Sequence, residues 1–411
     1  MKRVVITGLG VVSPIGCGKD AYWDALTEGR NGVGPISLFD TEGHTARIAA
    51  EVRDFDVEPW LDKKEARKTD RVIHFVIPAS DMAIKDAGLD LENIDQERFG
   101  VYIGSGEGGI TTTHENYAVM MEKGPSRVSP FFVPMMLSNM PAAYVAMRFG
   151  AKGPNMAVVT ACSTATHCMG EAMYAIQRGD ADLMLVGGAE AAITPIAIAG
   201  FANMKALSTR NDAPEKASRP FDKERDGFVM GEGAGILLFE DLEHAKKRGA
   251  HIYAEVKGYG NTCDAYHITA PDPDGSGSIR AMRLAMNMAG WKPEQVDLYN
   301  AHGTSTPLND KTESLAIRAV FGAHADTMPV HSTKSMVGHC LGAAGSMETI
   351  AALMAVERGI IHPTINYEFP DPECNVNVSA KAVERKVDRV LVNNAGFGGH
   401  NGVLALERFQ G

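Results

Sequence analysis

Short runs of apolar and β-branched residues recur along the chain, and several are separated by stretches rich in alanine and methionine. These runs cover residues 3–6, 101–103, 157–159, 183–186, 236–239, 296–299, 390–392 and 403–406. Their lengths are typical of buried strands. Segments 164–178 and 345–358 show helical spacing of apolar residues, and each ends in arginine followed by glycine. Strands that alternate with helices predict an α/β fold in which helices cover central sheets.

The two predicted helices lie in segments with the same rhythm. Residues 158–185 and 330–361 each pass from an apolar run through small residues to a helix and a basic-glycine stop. The identity between the segments is weak, but their period matches. This similarity predicts a duplicated architecture of two related halves.

Composition excludes several classes of function. The chain has 411 residues, of which 45% are hydrophobic, and a formal net charge of −11. This charge argues against a general nucleic-acid binder, and an acidic protein partner would need a local basic patch. Six cysteines without CxxC pairs or metal-ligand spacing indicate reduced thiols and a cytoplasmic location. The N-terminal apolar run breaks into turn residues, so we expect neither a signal peptide nor a membrane span.

An early glycine pair invites a nucleotide-binding interpretation. Gly8 and Gly10 follow a predicted strand, but the third glycine of a dinucleotide fingerprint would fall at position 13, which is Ser13. We therefore interpret the pair as part of a structural turn.

A cysteine and two histidines are the strongest candidates for chemistry. Cys162 opens a predicted helix, where the helix dipole favours a nucleophilic thiolate. A buried, inert thiol is an equal alternative for Cys162 and the better interpretation of Cys168. His302 and His339 lie beside glycines that leave room for a ligand, although each could be a turn histidine bonded to the backbone. A metal site fits poorly, because no third ligand is in register.

The final glycine-rich segment, GFGGHN at residues 396–401, lies between two predicted strands. It can present backbone N–H groups to an oxyanion or form a flexible hairpin.

Four motifs together resemble the β-ketoacyl-[acyl-carrier-protein] synthases of the thiolase superfamily, most closely the elongating type II branch. They are TACST, NAHGTSTP, STKSMVGH and GFGGHN, at residues 160–164, 300–307, 332–339 and 396–401. Further similar stretches lie at 129–136, 206–212, 218–235 and 263–271. The resemblance implies a thiolase-like fold, with two α/β halves at residues 1–250 and 251–411 in a five-layered αβαβα sandwich.

The resemblance also implies an acyltransferase that condenses acyl-carrier protein with malonyl-carrier protein. Cys162 would take the acyl group, and His302 and His339 would bind the malonyl thioester carbonyl as neutral imidazoles. Lys334 and Glu348 would form a supporting charge network. The N–H groups of Cys162 and Phe397 would bind the tetrahedral oxyanion. No cofactor or metal is expected, since phosphopantetheine arrives on the carrier protein.

Substrate and partner contacts follow from the same resemblance. Thr304 and Thr306 would bind the pantetheine amides, and Phe397 with Gly398 would form a gate whose position Asp264 helps to hold. The segment at residues 131–136 would reach into a partner subunit, which predicts a homodimer. An acidic carrier protein would dock on basic residues, namely Lys64, Arg67, Lys68, Arg127, Lys205 and Arg210. Lys64, Arg67, Lys68 and Arg71 recur at helical spacing, which predicts one shared face.

Glu107 departs from the family pattern, which has an apolar residue there, toward the far end of the acyl pocket. A carboxylate at this place would turn away, be protonated or shorten the tunnel, so it bears on acyl length.

A type II polyketide ketosynthase is the nearest alternative, and Glu107 favours it slightly. A thiolase lacks support, because its second cysteine would replace His400. A non-catalytic chain-length subunit would lack the nucleophile, and a cysteine hydrolase would release the acyl group to water.

Overall fold

The computed structural model describes residues 1–411. The strands are β1 (Val4–Ser13), β2 (Gly16–Cys17), β3 (Gly34–Pro35), β4 (Ile48–Ala49), β5 (Phe99–Gly104), β6 (Asn155–Met156), β7 (Leu183–Glu190), β8 (Gly233–Asp241), β9 (Ala254–Cys263), β10 (Leu298–Asn300), β11 (Val330–His331), β12 (Ile360–Ile361), β13 (Val383–Glu384), β14 (Arg389–Gly396) and β15 (His400–Arg408). The α-helices are α1 (Lys19–Glu28), α2 (Lys63–Ala66), α3 (Arg71–Asp86), α4 (Ile110–Lys123), α5 (Phe132–Met136), α6 (Met140–Phe149), α7 (Thr164–Arg178), α8 (Pro195–Asn203), α9 (Leu242–Lys247), α10 (Ser276–Ala289), α11 (Pro307–Phe321), α12 (Lys334–Val337) and α13 (Ala344–Arg358).

The strand topology shows the duplication. The main sheet has the order β11-β10-β14-β15-β9-β1-β8-β7-β5-β6. Strands β1, β8, β7, β5 and β6 therefore follow the same sequence of neighbours as β9, β15, β14, β10 and β11. Pairing directions also match, since β8 and β15 are antiparallel to both neighbours and the other pairs within each set are parallel. The two sets meet where β1 pairs with β9, so the predicted duplication is confirmed.

Helices fill the space between and outside the two sets of strands. Helices α7 and α13 pack on each other and on strands of both sets, whereas α3 and α6 cover the first set and α10 the second. Residues of α13 are buried from Ala344 to Val356 because the helix has protein on all sides. The layers thus alternate as the αβαβα sandwich that was expected. The predicted division at residue 250 falls between the end of β8 and the start of β9.

Two local predictions were wrong. Residues 157–159 are not a strand, because β6 ends at Met156 and the chain then runs unpaired toward Cys162. Gly8 and Gly10 lie within β1 and not in a turn. A Cβ atom on Gly10 would lie 1.9 Å from the carbonyl oxygen of Ala79 in α3, so the glycines allow close helix packing. No helix of the structure is both long and apolar enough to cross a membrane.

Candidate active site

Cys162 occupies a tight turn directly before α7. Residues Ala161–Ser163 form a single 3₁₀ turn, and Ala161 has a φ of 49°. Such a left-handed residue is strained unless its surroundings hold it. Gly396 of β14 lets that strand pack closely against the turn and hold it, because a Cβ atom on Gly396 would lie 2.6 Å from the carbonyl oxygen of Thr160. In the second half Leu341 has a φ of 43° and begins the equivalent turn before α13.

One cavity of about 340 Å³ brings the predicted chemical groups together. The predicted site residues that line it are Cys162, His302, His339, Phe397, Thr304, Thr306, Asp264 and Lys205. These residues come from both halves of the chain. The duplicated fold therefore builds one site between its halves.

Burial dominates the state of the Cys162 thiol. Only 8% of Cys162 is exposed. Burial raises the pKa of its thiol to about 12, although the charge of Lys334 and the backbone N–H groups of Phe397 and Cys162 act in the opposite direction. Of the two alternatives left open for Cys162, burial therefore favours the neutral thiol over the thiolate.

This raised pKa predicts a steep pH dependence of alkylation. Below its pKa, the thiolate fraction of Cys162 rises about tenfold per pH unit. We expect the rate of iodoacetamide labelling at Cys162, followed by peptide mass spectrometry, to keep rising from pH 6 to pH 9. Mapping separates this signal from that of the exposed Cys263. A plateau near pH 7 would instead indicate a stabilised thiolate.

The rings of the two histidines lie side by side in the cavity wall. The ring centroids of His302 and His339 are 5.3 Å apart, and the rings are nearly perpendicular. Burial and the charge of Lys334 hold the pKa of both imidazoles well below the usual range, so both are neutral. Lys334 Nζ lies 3.4 Å from His302 Nδ1. Because an ammonium only donates, Nδ1 accepts and the ring proton resides on Nε2.

Lys334 and Glu348 form a buried ion pair beneath His302. The Lys334 ammonium also donates to the carbonyl oxygen of His302 at 2.6 Å. Glu348 Oε2 accepts a hydrogen bond of 2.7 Å from the Asn394 amide. Neither charged residue lines the cavity. The pair is therefore placed to hold His302 and β14, as a supporting charge network would.

A second buried carboxylate, Glu313 in α11, was not predicted from the sequence. Its oxygens accept from the backbone N–H groups of His302 and Gly303, each at 2.8 Å. They also accept from the Asn393 amide at 2.7 Å. Glu313 thus fixes the turn after β10 to β14. No signal in the sequence singled out this residue, because its partners are distant in the chain.

Glu190 at the end of β7 was also missed. It accepts from Ser105 Oγ at 2.8 Å and from the backbone N–H groups of Gly106 and Gly342 at 2.8 and 2.9 Å. Burial raises its pKa to about 7. Glu190 therefore joins the loop after β5 to the turn before α13.

The glycine turn between β14 and β15 contacts the loop after β9. The backbone N–H of Gly398 donates to the carbonyl oxygen of Ile268 at 2.8 Å, and that of Asp264 donates to Gly399 at 2.8 Å. The Asp264 carboxylate accepts from the Asn401 amide at 2.8 Å. Phe397 packs near Phe201, with ring centroids 6.2 Å apart. A few hydrogen bonds therefore link the loop that contains Asp264 to the glycine turn that contains Phe397.

The predicted basic residues occupy different surroundings. Lys64, Arg67, Arg127 and Lys205 are exposed, and Arg210 is half-buried. Lys68 Nζ lies 5.1 Å from the ring centroid of Phe131. The prediction that Arg71 shares a helix face with Lys64 was wrong. Helix α2 ends at Ala66, and Arg71 begins α3 and pairs with the buried carboxylate of Glu232.

Glu107 is not among the residues that line the cavity. Its side chain is exposed in the single chain. The protein atoms around it displace part of its water and raise its pKa. In one chain the carboxylate therefore lies outside the space beside Cys162.

Comparisons with known proteins agree with this geometry. The profile of the β-ketoacyl synthase N-terminal domain matches residues 1–245, and that of the C-terminal domain matches residues 253–368. The 3-oxoacyl-[acyl-carrier-protein] synthase 2 of Synechocystis sp. is 52% identical over 410 residues, which cover 100% of this chain and 99% of the relative. The enzyme of the same name from Staphylococcus aureus is 50% identical over 410 residues, with the same coverage.

Solved structures show the same fold over the whole chain. One is a type II polyketide acyl-carrier protein in complex with its ketosynthase, with a TM-score of 0.93, 35% identity and full coverage of both chains. A β-ketoacyl synthase from Burkholderia phymatum has a TM-score of 0.92 and 37% identity, also with full coverage of both chains. The chain therefore belongs to the β-ketoacyl synthase family.

Proposed function

We propose that this chain condenses acyl-[acyl-carrier protein] with malonyl-[acyl-carrier protein] and so lengthens a fatty acyl chain by two carbons. The observation that carries the proposal is the convergence of the Cys162 thiol with the neutral imidazoles of His302 and His339 in one cavity. Full-length relatives at about 50% identity are named 3-oxoacyl-[acyl-carrier-protein] synthase 2. The product would be 3-oxoacyl-carrier protein.

The reaction begins with transfer of the acyl group. Cys162 sulfur attacks the thioester carbonyl, the carrier thiolate leaves, and the thiol proton passes to that leaving group. Because the free thiol has a raised pKa, proton loss must accompany attack. The backbone N–H groups of Cys162 and Phe397 act to lower the pKa of the thiol, and the same groups would bind the oxyanion.

Condensation then uses the two histidines. The Nε2–H of His302 and an N–H of His339 would donate to the malonyl thioester carbonyl, so that loss of carbon dioxide leaves a stabilised enolate. The enolate carbon attacks the acyl-Cys162 carbonyl, the carbon–sulfur bond breaks, and the expelled Cys162 thiolate takes a proton from water to regenerate the thiol. A neutral imidazole carries one N–H, so each ring can donate one hydrogen bond to the carbonyl oxygen.

Replacement of Cys162 by glutamine separates the two stages. The side-chain amide occupies the place of a thioester, so we expect Cys162→Gln to release carbon dioxide from malonyl-carrier protein without forming a condensation product. Carbon dioxide release can be followed with malonate labelled at the free carboxyl. The matched variant Cys162→Gln/His302→Ala should lose this activity by about 10²-fold or more. An inert Cys162→Gln protein would show that the histidines do not act independently of the thiol.

The acidic carrier protein would dock on the predicted basic residues. Lys205 lines the cavity, and Lys64, Arg67 and Arg127 are exposed. Lys68 and Arg210 complete the proposed surface. Since the chain is acidic overall, charge reversal at Lys64 or Lys205 should weaken carrier binding, and added salt should weaken it in the unaltered protein.

We also propose a homodimer in the cytoplasm. Large apolar side chains are exposed in the region from α4 to the turn before α7, namely Tyr117, Met121, Phe131, Val133, Met147, Met156 and Val159. A second copy would cover such a region. Sedimentation equilibrium should give twice the mass of one chain, and a monomer would contradict the proposal.

The six free cysteines fit a reducing compartment, which supports the proposed cytoplasmic location.

A type II polyketide ketosynthase is the second candidate, since one solved structure with the same fold is a type II polyketide complex and another is the ishigamide ketosynthase/chain length factor. The exposed Glu107 carboxylate could reach a pocket completed by a second copy. The two candidates differ in substrate, because a fatty acid enzyme extends saturated acyl chains through successive lengths whereas a polyketide enzyme extends a polyketone.

A further inference from the structure

The Arg225 guanidinium lies buried beneath the turn that carries Thr304 and Thr306. Its Nε donates to the carbonyl oxygen of Thr306 at 3.2 Å, and its Nη2 donates to that of Pro307 at 3.0 Å. Its Nη1 donates to the Asp371 carboxylate at 2.6 Å. Every nitrogen of the group therefore has an acceptor, and two of the acceptors are consecutive carbonyl groups of this turn.

The turn needs such support because its middle residue is strained. Ser305 is fully buried and has a φ of 68°, a conformation that a residue with a side chain seldom adopts. Its hydroxyl accepts from the backbone N–H of Arg219 at 2.9 Å, and its carbonyl oxygen accepts from Gly227 at 3.1 Å. Residues of the segment from Arg219 to Gly227 thus form hydrogen bonds with three consecutive residues of the turn.

These hydrogen bonds fix the backbone that carries the hydroxyl groups of Thr304 and Thr306. Thr304 and Thr306 both line the cavity, and their Oγ1 atoms are 2.8 Å apart. Arg225 does not line the cavity, so it cannot touch a bound substrate there. It acts on the site only through the backbone that carries the threonines.

We propose that Arg225 is a positioning residue that holds the Thr304 and Thr306 hydroxyls in place for the amide groups of the carrier's pantetheine arm. This inference rests on the proposed function, which supplies the arm. A flexible arm loses conformational entropy on binding, so donors and acceptors that are already fixed lower the cost of binding. Loss of the Arg225 hydrogen bonds should therefore weaken binding of the pantetheine arm more than it slows condensation.

The test is Arg225→Lys, which keeps the charge but cannot reach two carbonyls and a carboxylate at once. We expect KM for malonyl-carrier protein in condensation to rise about tenfold or more, with kcat within about threefold of the unaltered value. Iodoacetamide labelling of Cys162 needs no arm, so its rate should not change.

The matched control is Arg318→Lys. Arg318 also joins α11 to the C-terminal segment, through the carbonyl oxygen of Asn375 at 2.6 Å, but it lies away from the threonine turn. Its KM should be unchanged. If Arg225→Lys does not fold, Asp371→Asn loosens the same guanidinium while retaining a hydrogen-bond acceptor, and the same split between KM and kcat is expected.

An unchanged KM in a folded variant, or a parallel fall in kcat and in the labelling rate, would overturn the inference while leaving the proposed function intact. Absence of condensation by the unaltered protein would overturn the proposed function, and this inference with it.

Discussion

Replacement of Cys162 by serine is expected to lower the rate of condensation by about 10⁴-fold or more. A hydroxyl is a much weaker nucleophile than a thiol, and the buried turn before α7 offers Cys162 no general base of its own. The measurement is formation of 3-oxoacyl-carrier protein by mass spectrometry, with acyl- and malonyl-carrier protein supplied together.

Cys168 provides the matched control for this variant. It lies in α7, is fully buried and donates weakly to the carbonyl oxygen of Val158. Cys168→Ser should therefore cost some stability but retain condensation within about an order of magnitude. Loss of activity in Cys168→Ser with full activity in Cys162→Ser would show that the nucleophile has been assigned to the wrong thiol.

Replacement of Lys334 by methionine is expected to lower the free energy of unfolding by about 3–5 kcal/mol. The change leaves the Glu348 carboxylate buried without its cation, while the Asn394 amide alone still donates to it. It also removes the donor to the His302 carbonyl oxygen. Denaturation in urea gives the stability, and carbon dioxide release from malonyl-carrier protein gives the activity.

The double variant Lys334→Met/Glu348→Leu separates stability from function. It removes both buried charges, so much of the lost stability should return. Activity should stay low, because His302 still lacks the ammonium beside Nδ1. A stable and fully active double variant would contradict the supporting role of the ion pair, and so would a single variant as stable as the unaltered protein.

The sequence predicted the bounds of a helix better than it predicted which segments pair in the sheet. Helix α7 was predicted at 164–178 and has those bounds, because Gly179 adopts the left-handed conformation that ends a helix. The run at 157–159 has the composition of a strand, but no neighbouring strand pairs with it. Composition alone does not show where pairing at the edge of a sheet stops.

The state of the active-site groups depends on tertiary structure. The position of Cys162 before a helix suggested a thiolate, but the helix dipole is a smaller effect than burial in the cavity wall. Glu313 could not be found from the sequence, because its partners come from residues 11 and 80 positions away. The motifs did predict which side chains meet, since Cys162, His302 and His339 all line one cavity.

Mass spectrometry of the intact protein and its products tests condensation directly, with acyl-carrier proteins of increasing chain length and with or without malonyl-carrier protein. We predict an acyl adduct on Cys162 in the absence of malonyl-carrier protein, and a product two carbons longer in its presence. Release of free acid alone, or no adduct on Cys162, would contradict the assignment of this chain as a condensing enzyme.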